Sequence, residues 1–314
     1  MDLISPASAG DFIMVEMKEL YTIFIFILLH NVVLPQNLDS KFTISMYSGI
    51  NQESLNWSIS GDINGMNPNI LSELKWKNLR GLETVVSTQF YLSKRFLFNT
   101  ALTHQKITVG KVTDNDYAGD NRTFNTSELD LKSDKGHTLI LDANFAYKLF
   151  NDGRFHFQPQ IGYWGKFQTL YLLDGDVPLI SGKLLNSTSR PNWQGIQYGV
   201  TAGLSYGSFF SELEFNTIYI LNYSAKANWN LQTTFNHPLS FVHSAKGNGF
   251  QISFVQTASL SANFLPFVKF KFSTLKSGSG KDMLFLENGE IESSKLNGVD
   301  NQSWSILFGL KIKI

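Results

Sequence analysis

Along most of the chain beyond about residue 38, apolar and polar side chains alternate with period two, the pattern of strands that present one apolar face. In HTLILDANFAYKLF, Leu139, Leu141, Ala143, Phe145, Tyr147 and Leu149 share one face, and Asp142, Asn144 and Lys148 take the other. In WQGIQYGVTAGLSY, Ile196, Tyr198, Val200, Ala202, Leu204 and Tyr206 oppose Gln197, Gly199, Thr201, Gly203 and Ser205. FVKFKF sets Val268, Phe270 and Phe272 against Lys269 and Lys271. The last run, WSILFGLKIKI, places Trp304, Ile306, Phe308, Leu310, Ile312 and Ile314 outward, with Lys311 and Lys313 inward.

Soluble sandwiches alternate too, so other features separate them from a barrel in lipid. The runs here often exceed ten residues, whereas soluble strands average ~5–6. Their polar faces carry Gly, Thr, Gln and Lys, as a lumen does. Short connections stand at LSKR (92–95), NDGR (151–154), YGS (206–208) and NFLP (263–266), and long polar ones near 60–69, 114–135, 175–192, 226–240 and 280–300. Short turns at one end and long loops at the other are the pattern of an outer-membrane barrel. Four short turns and five long loops join ten strands. The expected fold class is therefore all-β: a ten-stranded antiparallel transmembrane β-barrel with long extracellular loops. Lipid offers backbone groups no partners, and only a closed sheet satisfies them all. Ile314 departs from the terminal aromatic of many such barrels.

Composition narrows the class. The 314 residues carry 26 basic and 26 acidic side chains, a neutrality that argues against an electrostatic nucleic-acid partner. Charged residues make up 17% of the chain, below the ~25% of soluble domains; aromatics reach 14%. Cysteine is absent, which excludes disulfides, thiolate zinc sites and a lipidated N-terminal Cys. The segment MVEMKELYTIFIFILLHNVVLPQN sets Lys18 ahead of an apolar stretch from Leu20 to Leu34. It is too short to span comfortably and reads as a secretory signal cut near Gln36, beginning at Met14 or Met17; a buried core helix is the plainer alternative. The expected organisation is an N-terminal extension and signal peptide over residues 1–37 and the barrel over residues 38–314, where no linker, repeat or composition shift intervenes. The expected location is the outer membrane of a Gram-negative-type bacterium.

Candidate chemistry begins at KVTDNDYAGD, where Asp114 and Asp116 stand two apart and precede Tyr117. On a strand such residues share a face roughly 7 Å apart, which aims both carboxylates into the barrel mouth. An ordinary acidic loop edge is the plain reading. A Ca²⁺ site would need further oxygen ligands at regular spacing, and these are missing; no metal is expected. No Gly-x-x-x-x-Gly-Lys loop, zinc-helix motif or nucleophile elbow occurs, and no cofactor is expected.

ILSELKWKNLRG (Ile70 to Gly81) followed by VGKVTDNDY (Val109 to Tyr117) resembles the omptins, ten-stranded outer-membrane endopeptidases. Ser72, Leu74, Trp76, Lys77, Gly81, Gly110, Asp114 and Asp116 match the family's pattern; Lys75 replaces its usual Asp and Tyr117 its usual Trp. IGYWGKF (Ile161 to Phe167) and GIQYGVTAGLSY (Gly195 to Tyr206) resemble its fifth and sixth strands. The resemblance implies aspartic endopeptidase chemistry, in which Asp114 and Asp116 help position a water and the scissile carbonyl. Across the cleft, an Asp-x-His pair would activate that water, the imidazole titrating near neutrality and the carboxylate orienting it.

That second pair should fall in SAKANWNLQ. Counting from Phe210 puts the family's Asp and His on Asn228 and Asn230, and an amide cannot act as a general base. Counting back from Pro266 points instead to His237 in TFNHP as a substitute base, with Phe235 rather than an acid at its i−2 position. An acidic substrate-pocket position of the family falls on Asn56. The remaining histidines of the barrel, His104, His137, His156 and His243, have no adjacent acid in sequence and read as solvated or packed. The family also binds lipopolysaccharide, an activating lipid, but its fifth-strand contact reads Phe167 here, with Lys166 toward the lumen.

Three readings follow. The first is a proteolytically impaired omptin-like barrel that binds an extracellular peptide or protein. The second is an active endopeptidase using Asp114, Asp116 and a rearranged base such as His237. The third is an unrelated small porin-like barrel. In each the partners are outer-membrane lipid and external solutes rather than nucleic acid, and the chain is expected to be a monomer.

Overall fold

The computed structural model describes residues 42–314 apart from 176–177, 181 and 260–262; the expected signal peptide lies outside the described residues. The strands are β1 (Phe42–Ile59), β2 (Ser72–Tyr91), β3 (Phe96–Gly119), β4 (Thr123–Lys132), β5 (Gly136–Tyr147), β6 (Phe150–Asn151), β7 (Phe155–Leu173), β8 (Asn186–Tyr206), β9 (Phe209–Asn228), β10 (Phe241–Ala258), β11 (Phe264–Ser277), β12 (Gly280–Phe285) and β13 (Ile291–Lys313). All pair antiparallel, and β13 returns to β1 from Thr43↔Lys313 to Ile59↔Leu296, so the sheet closes into a ring. No helix among the described residues is long and apolar enough to cross a membrane.

Among the described residues the sheet has thirteen strands, not the expected ten. The surplus lies at two places in the ring. Between β3 and β7, β4 pairs with the far half of β3 and β5 with its near half, while the two-residue β6 continues beside β7. Between β10 and β13, β11 is followed by β12 after a break at Gly278, whose N–H donates to Lys246 O at 2.8 Å. The inward parity changes at each break, from Leu131 and Ser133 to Thr138 and Asn144, and from Ser273 and Leu275 to Asp282 and Leu284.

The long connections near 114–135, 175–192 and 280–300 also need correction. β3 runs on to Gly119 and returns as β4, β8 already begins at Asn186, and β12 and β13 form a hairpin between Gly280 and Phe285 and beyond Ile291. These stretches look like loops because the outward residues there are polar. The reason is that the ring inverts its polarity partway along its length.

In the half nearer the short turns, apolar side chains face outward: Met46, Ile50, Leu82, Phe145, Tyr198, Phe215, Phe270 and Phe308 are all exposed. The lumen there is polar. Glu83 is buried and receives Lys271 Nζ, Ser305 Oγ (2.6 Å), Asn51 Nδ2 (3.2 Å) and Gln105 Nε2 (3.3 Å). In the half nearer the long connections, Lys75, Lys77, Arg190 and Lys226 lie outward while Leu74, Trp76, Leu170, Trp193, Ile220 and Tyr223 pack inward as a core. One half suits lipid outside and water inside, the other water outside and a dry interior.

Local irregularities accompany the change. On β2 the pairing with β3 shifts register around Asn78, which adopts φ +53°; Leu74 and Trp76 point inward on one side of it, Glu83 and Val85 on the other. On β9, Gln194 and Gly195 of β8 pair with Asn222 and Ile220, so Leu221 is an extra residue. A bulge of this kind flips every later side chain to the opposite face.

Candidate functional site

Asp114 and Asp116 stand on the far extension of β3, beyond the outward apolar belt. Asp114 is opposite Leu74 and Asp116 opposite Ser72. Both share the inward alternation with buried Val112, and Asp114 is only 7% exposed. Burial, and secondarily the charge of Asp116, push the Asp114 carboxyl up to about 7. Burial also raises Asp116, against a hydrogen bond from Ser72 that lowers it. Near neutrality the pair therefore holds a proton on Asp114 part of the time.

Tyr117 leaves this face after a register shift and donates its hydroxyl to Glu73 Oε1 at 3.0 Å. Glu73 is buried and also receives Lys75 Nζ at 2.5 Å and Arg122 Nε at 3.0 Å. Desolvation works against its charge, but the Arg122, Lys75 and Tyr117 bonds prevail and hold it below the ordinary carboxylate range. This knot ties the β3–β4 hairpin to β2.

The facing side differs from what the sequence leads one to expect. Counting along β9 omits the bulge at Leu221, and the inward positions beyond it are Tyr223, Ala225 and Ala227, each at most 2% exposed. Asn228 falls on the other alternation, with exposed Lys226, and pairs with Thr188. Its Oδ1 lies 2.7 Å from His237 Nδ1, and His237 Nε2 lies 3.1 Å from Gln232 O, so this exposed histidine is held by its own connection. Asn230 accepts from Asn186 N–H and Ser187 Oγ, both at 2.9 Å, and donates to Leu184 O at 2.9 Å, which makes it a clamp between two loops. Asn56 is exposed on the outward alternation of β1 and does not join the cleft. Neither an acid nor an imidazole occupies an inward position at this end of β9.

Level with Asp114 in the strand register lies a packed layer. The Trp57 ring meets those of Phe241 and His243 at 5.8 and 4.7 Å, and Trp229 packs on Phe241 at 5.6 Å. Trp57 is opposite Leu74, the strand partner of Asp114. Below this layer Lys166 and Glu53 form an ion pair at 2.8 Å, both 2% exposed, with Asn301 and Gln168 completing the bonds.

One pairing escapes sequence reading altogether. His243, fully buried, has Nε2 3.2 Å from Asp282 Oδ1, and Ser294 Oγ donates to Asp282 Oδ2 at 3.1 Å. The acid is brought by β12 as a cross-strand partner, His243↔Asp282, and nothing local to His243 announces it. Among the described residues no group of three or more His, Asp or Glu is placed to hold a metal.

Comparison with known proteins bears on this geometry. Residues 45–314 match the family model described as Pom, Protochlamydia outer membrane protein. No curated protein sequence matches the chain. Among solved structures, the outer membrane protease OmpT from Escherichia coli superposes with a TM-score of 0.68 at 12% identity, covering 89% of this chain and 99% of that one. The translocator domain of autotransporter NalP from Neisseria meningitidis gives 0.39 at 11% identity over 89% and 90% of the two chains. OprG from Pseudomonas aeruginosa gives 0.36 at 9% identity over 88% and 98%. At 12% identity the likeness to OmpT extends to the outer-membrane β-barrel fold and not to chemistry.

Proposed function

The chain belongs to the Protochlamydia outer membrane protein (Pom) family, and from that premise we propose a surface-binding barrel with an omptin-like frame that does not hydrolyse peptides. The protein resides in the outer membrane, in contact with its lipid. We read β4 to β6 as one stave and β11 with β12 as another, which gives ten staves, with the short turns toward the periplasm and the hairpins projecting outside.

The observation that carries this reading is the composition of the two walls. One presents Asp114 and Asp116, and on the other the inward positions at the end of β9 are Ala225 and Ala227, with neither an acid nor a base. A methyl group neither accepts a proton nor orients a water. Loss of a general base removes typically ~10²–10⁴-fold of rate. What remains is a partly protonated carboxyl pair at the mouth framed by polar hairpins, whose exposed polar edges are suited to hydrogen-bonding an extended peptide or a protein surface at the cell exterior.

The test is cleavage of a mixed peptide library by the refolded barrel, with and without lipopolysaccharide, beside Asp116→Asn. The expected result is no turnover in either. Turnover in the parent that Asp116→Asn abolishes would establish an active endopeptidase.

A second reading, passage of small solutes, is favoured by a separate observation. Two cavities, of about 240 and 440 Å³, occupy the polar half of the lumen and share Thr43, Gln89, Gln158, Glu212 and Lys311 in their walls. Single-channel recording tests it: steady conductance in the parent would favour passage, and closed bilayers the binding role.

A further inference from the structure

We propose that the short-turn end of the lumen is a binding site for a small oxyanion, phosphate or carboxylate, carried by a solute that enters from that side. This does not rest on the reading of the opposite end. The cavity of about 440 Å³ there is lined by Lys148, Arg154, His156, Glu212, Lys311 and Lys313 among others, so four fixed cations surround one carboxylate. That carboxylate is already engaged, with Lys311 Nζ 2.8 Å from Glu212 Oε2. Among the described residues Lys148, Arg154 and Lys313 form no ion pair; Lys148 lies over the Tyr91 ring at 4.5 Å.

A second observation points to a ligand. His156 is 8% exposed, lines the same cavity, and its buried Nε2 has no hydrogen-bond partner; Glu212 Oε1 is 3.8 Å away, beyond bonding reach. The ring is fixed in place. It stacks on Phe210 with centroids 5.2 Å apart, and a Cβ at Gly203 would stand 2.0 Å from its Cε1. A buried polar atom without a partner is uncommon and expensive, and as the Nε2–H tautomer this nitrogen, beside ammonium and guanidinium groups that form no ion pair, is satisfied by an oxyanion. Low-dielectric walls focus the field of such charges along the lumen. The volume falls in the range of small-molecule sites, about 300–1,000 Å³, and excludes a folded partner.

The experiment uses the refolded full-length chain in uncharged detergent at constant ionic strength. Inorganic phosphate and acetate are titrated separately and followed by calorimetry and by the His156 ring resonances. Saturable binding is expected, weakened at least about tenfold in Lys148→Gln/Lys313→Gln and unchanged in Lys77→Gln/Arg80→Gln, which removes as much charge from the outer wall. Arg154→Gln, in a turn, serves if the double variant does not fold, and Gly203→Ala should shift the ring and weaken binding with no change of charge. Phosphate alone binding would assign a phosphorylated solute, acetate alone a carboxylated one, and both the shared group. Absence of saturable binding, or equal weakening in the outer-wall control, would overturn the site.

Discussion

His237 Nδ1 lies 2.7 Å from Asn228 Oδ1, so the residue that the sequence offers at the family's Asp position and the one it offers as a substitute base are hydrogen-bonded to each other outside the lumen. Neither is free to meet Asp114. His237→Ala and the pair Asn228→Asp/Asn230→His are therefore both expected to leave peptide hydrolysis at background. Ala225→Asp/Ala227→His places an acid and an imidazole on the inward alternation instead. If any designed pair restores turnover, it is this one. A gain in Asn228→Asp/Asn230→His with none in the alanine-site pair would refute the bulge at Leu221 and the β9 register that follows from it.

Asp114 should make stability depend on pH in a direction opposite to that of a salt-bridged acid. Its folded-state value of about 7 stands above the ordinary ~3.9. Between those values the folded chain holds a proton that the unfolded chain has released, so stability falls as pH rises, and the loss is complete above about 7. Asp114→Asn removes the loss. The variant should gain about 2–4 kcal/mol over the parent above pH 7 and almost nothing near pH 4, an upper estimate from the linkage relation. Urea midpoints of parent and variant across that interval decide it; parallel curves would sink the assignment. Asp116→Asn should lower the Asp114 titration, because the neighbouring charge contributes to its rise.

The parts legible in sequence were those governed by one rule. Leu141, Phe145, Ile196, Tyr198, Phe270 and Phe308 are exposed on the outward face as their alternation predicts, since period two is set by the pleat itself. Strand number was not legible, because β4 and β12 lie within the stretches 114–135 and 280–300, whose polar composition reads as loop. Nor was the extent of the hairpins. Asp130, Arg190 and Lys226 look like loop residues until the ring is seen to rise into water, where outward polar residues are what a strand requires. The inward positions at the end of β9 were misread, since Leu221 is an apolar residue in an apolar run and nothing marks it as the bulge that changes the alternation from Ile218 and Ile220 to Tyr223, Ala225 and Ala227. The His243–Asp282 contact depends on β12 lying beside β10, which no local pattern records.

Glu73 should govern the order of the β3–β4 hairpin. It gathers Tyr117 and Arg122 from that hairpin and Lys75 from its own strand, while three residues near the tip, Asn121, Arg122 and Phe124, hold positive φ. A left-handed backbone at Phe124, whose side chain is 79% exposed, persists only where the surroundings impose it. Glu73→Gln keeps the shape and removes the charge that binds Arg122. The expected result is faster cleavage by chymotrypsin after Phe124, with the membrane-embedded half still protected. Arg122→Gln should act in the same direction and more weakly, since Lys75 and Tyr117 remain. Unchanged cleavage in Glu73→Gln would mean the hairpin is ordered by its ladder with β2 and β4 alone.

Lys166 and Glu53 should form the most sensitive pair in the lumen. They approach across the ring from β7 and β1, and each is nearly inaccessible. Breaking such a pair from one side strands a charge, at about 3–5 kcal/mol, whereas replacing both partners by neutral groups of like shape is far less harmful. Lys166→Ala leaves Glu53 with only Gln168 at 2.7 Å and Asn301 at 2.5 Å, both neutral donors. It should therefore unfold at clearly lower urea than the parent, while Lys166→Met combined with Glu53→Gln should recover most of the loss. The recovery, read as the coupling term of the double-mutant cycle, separates a buried pair from a site that simply tolerates no substitution. Additive losses in the double variant would show that the two charges are satisfied independently and that the layer beneath the Trp57 cluster is held by its hydrogen bonds rather than by the ion pair.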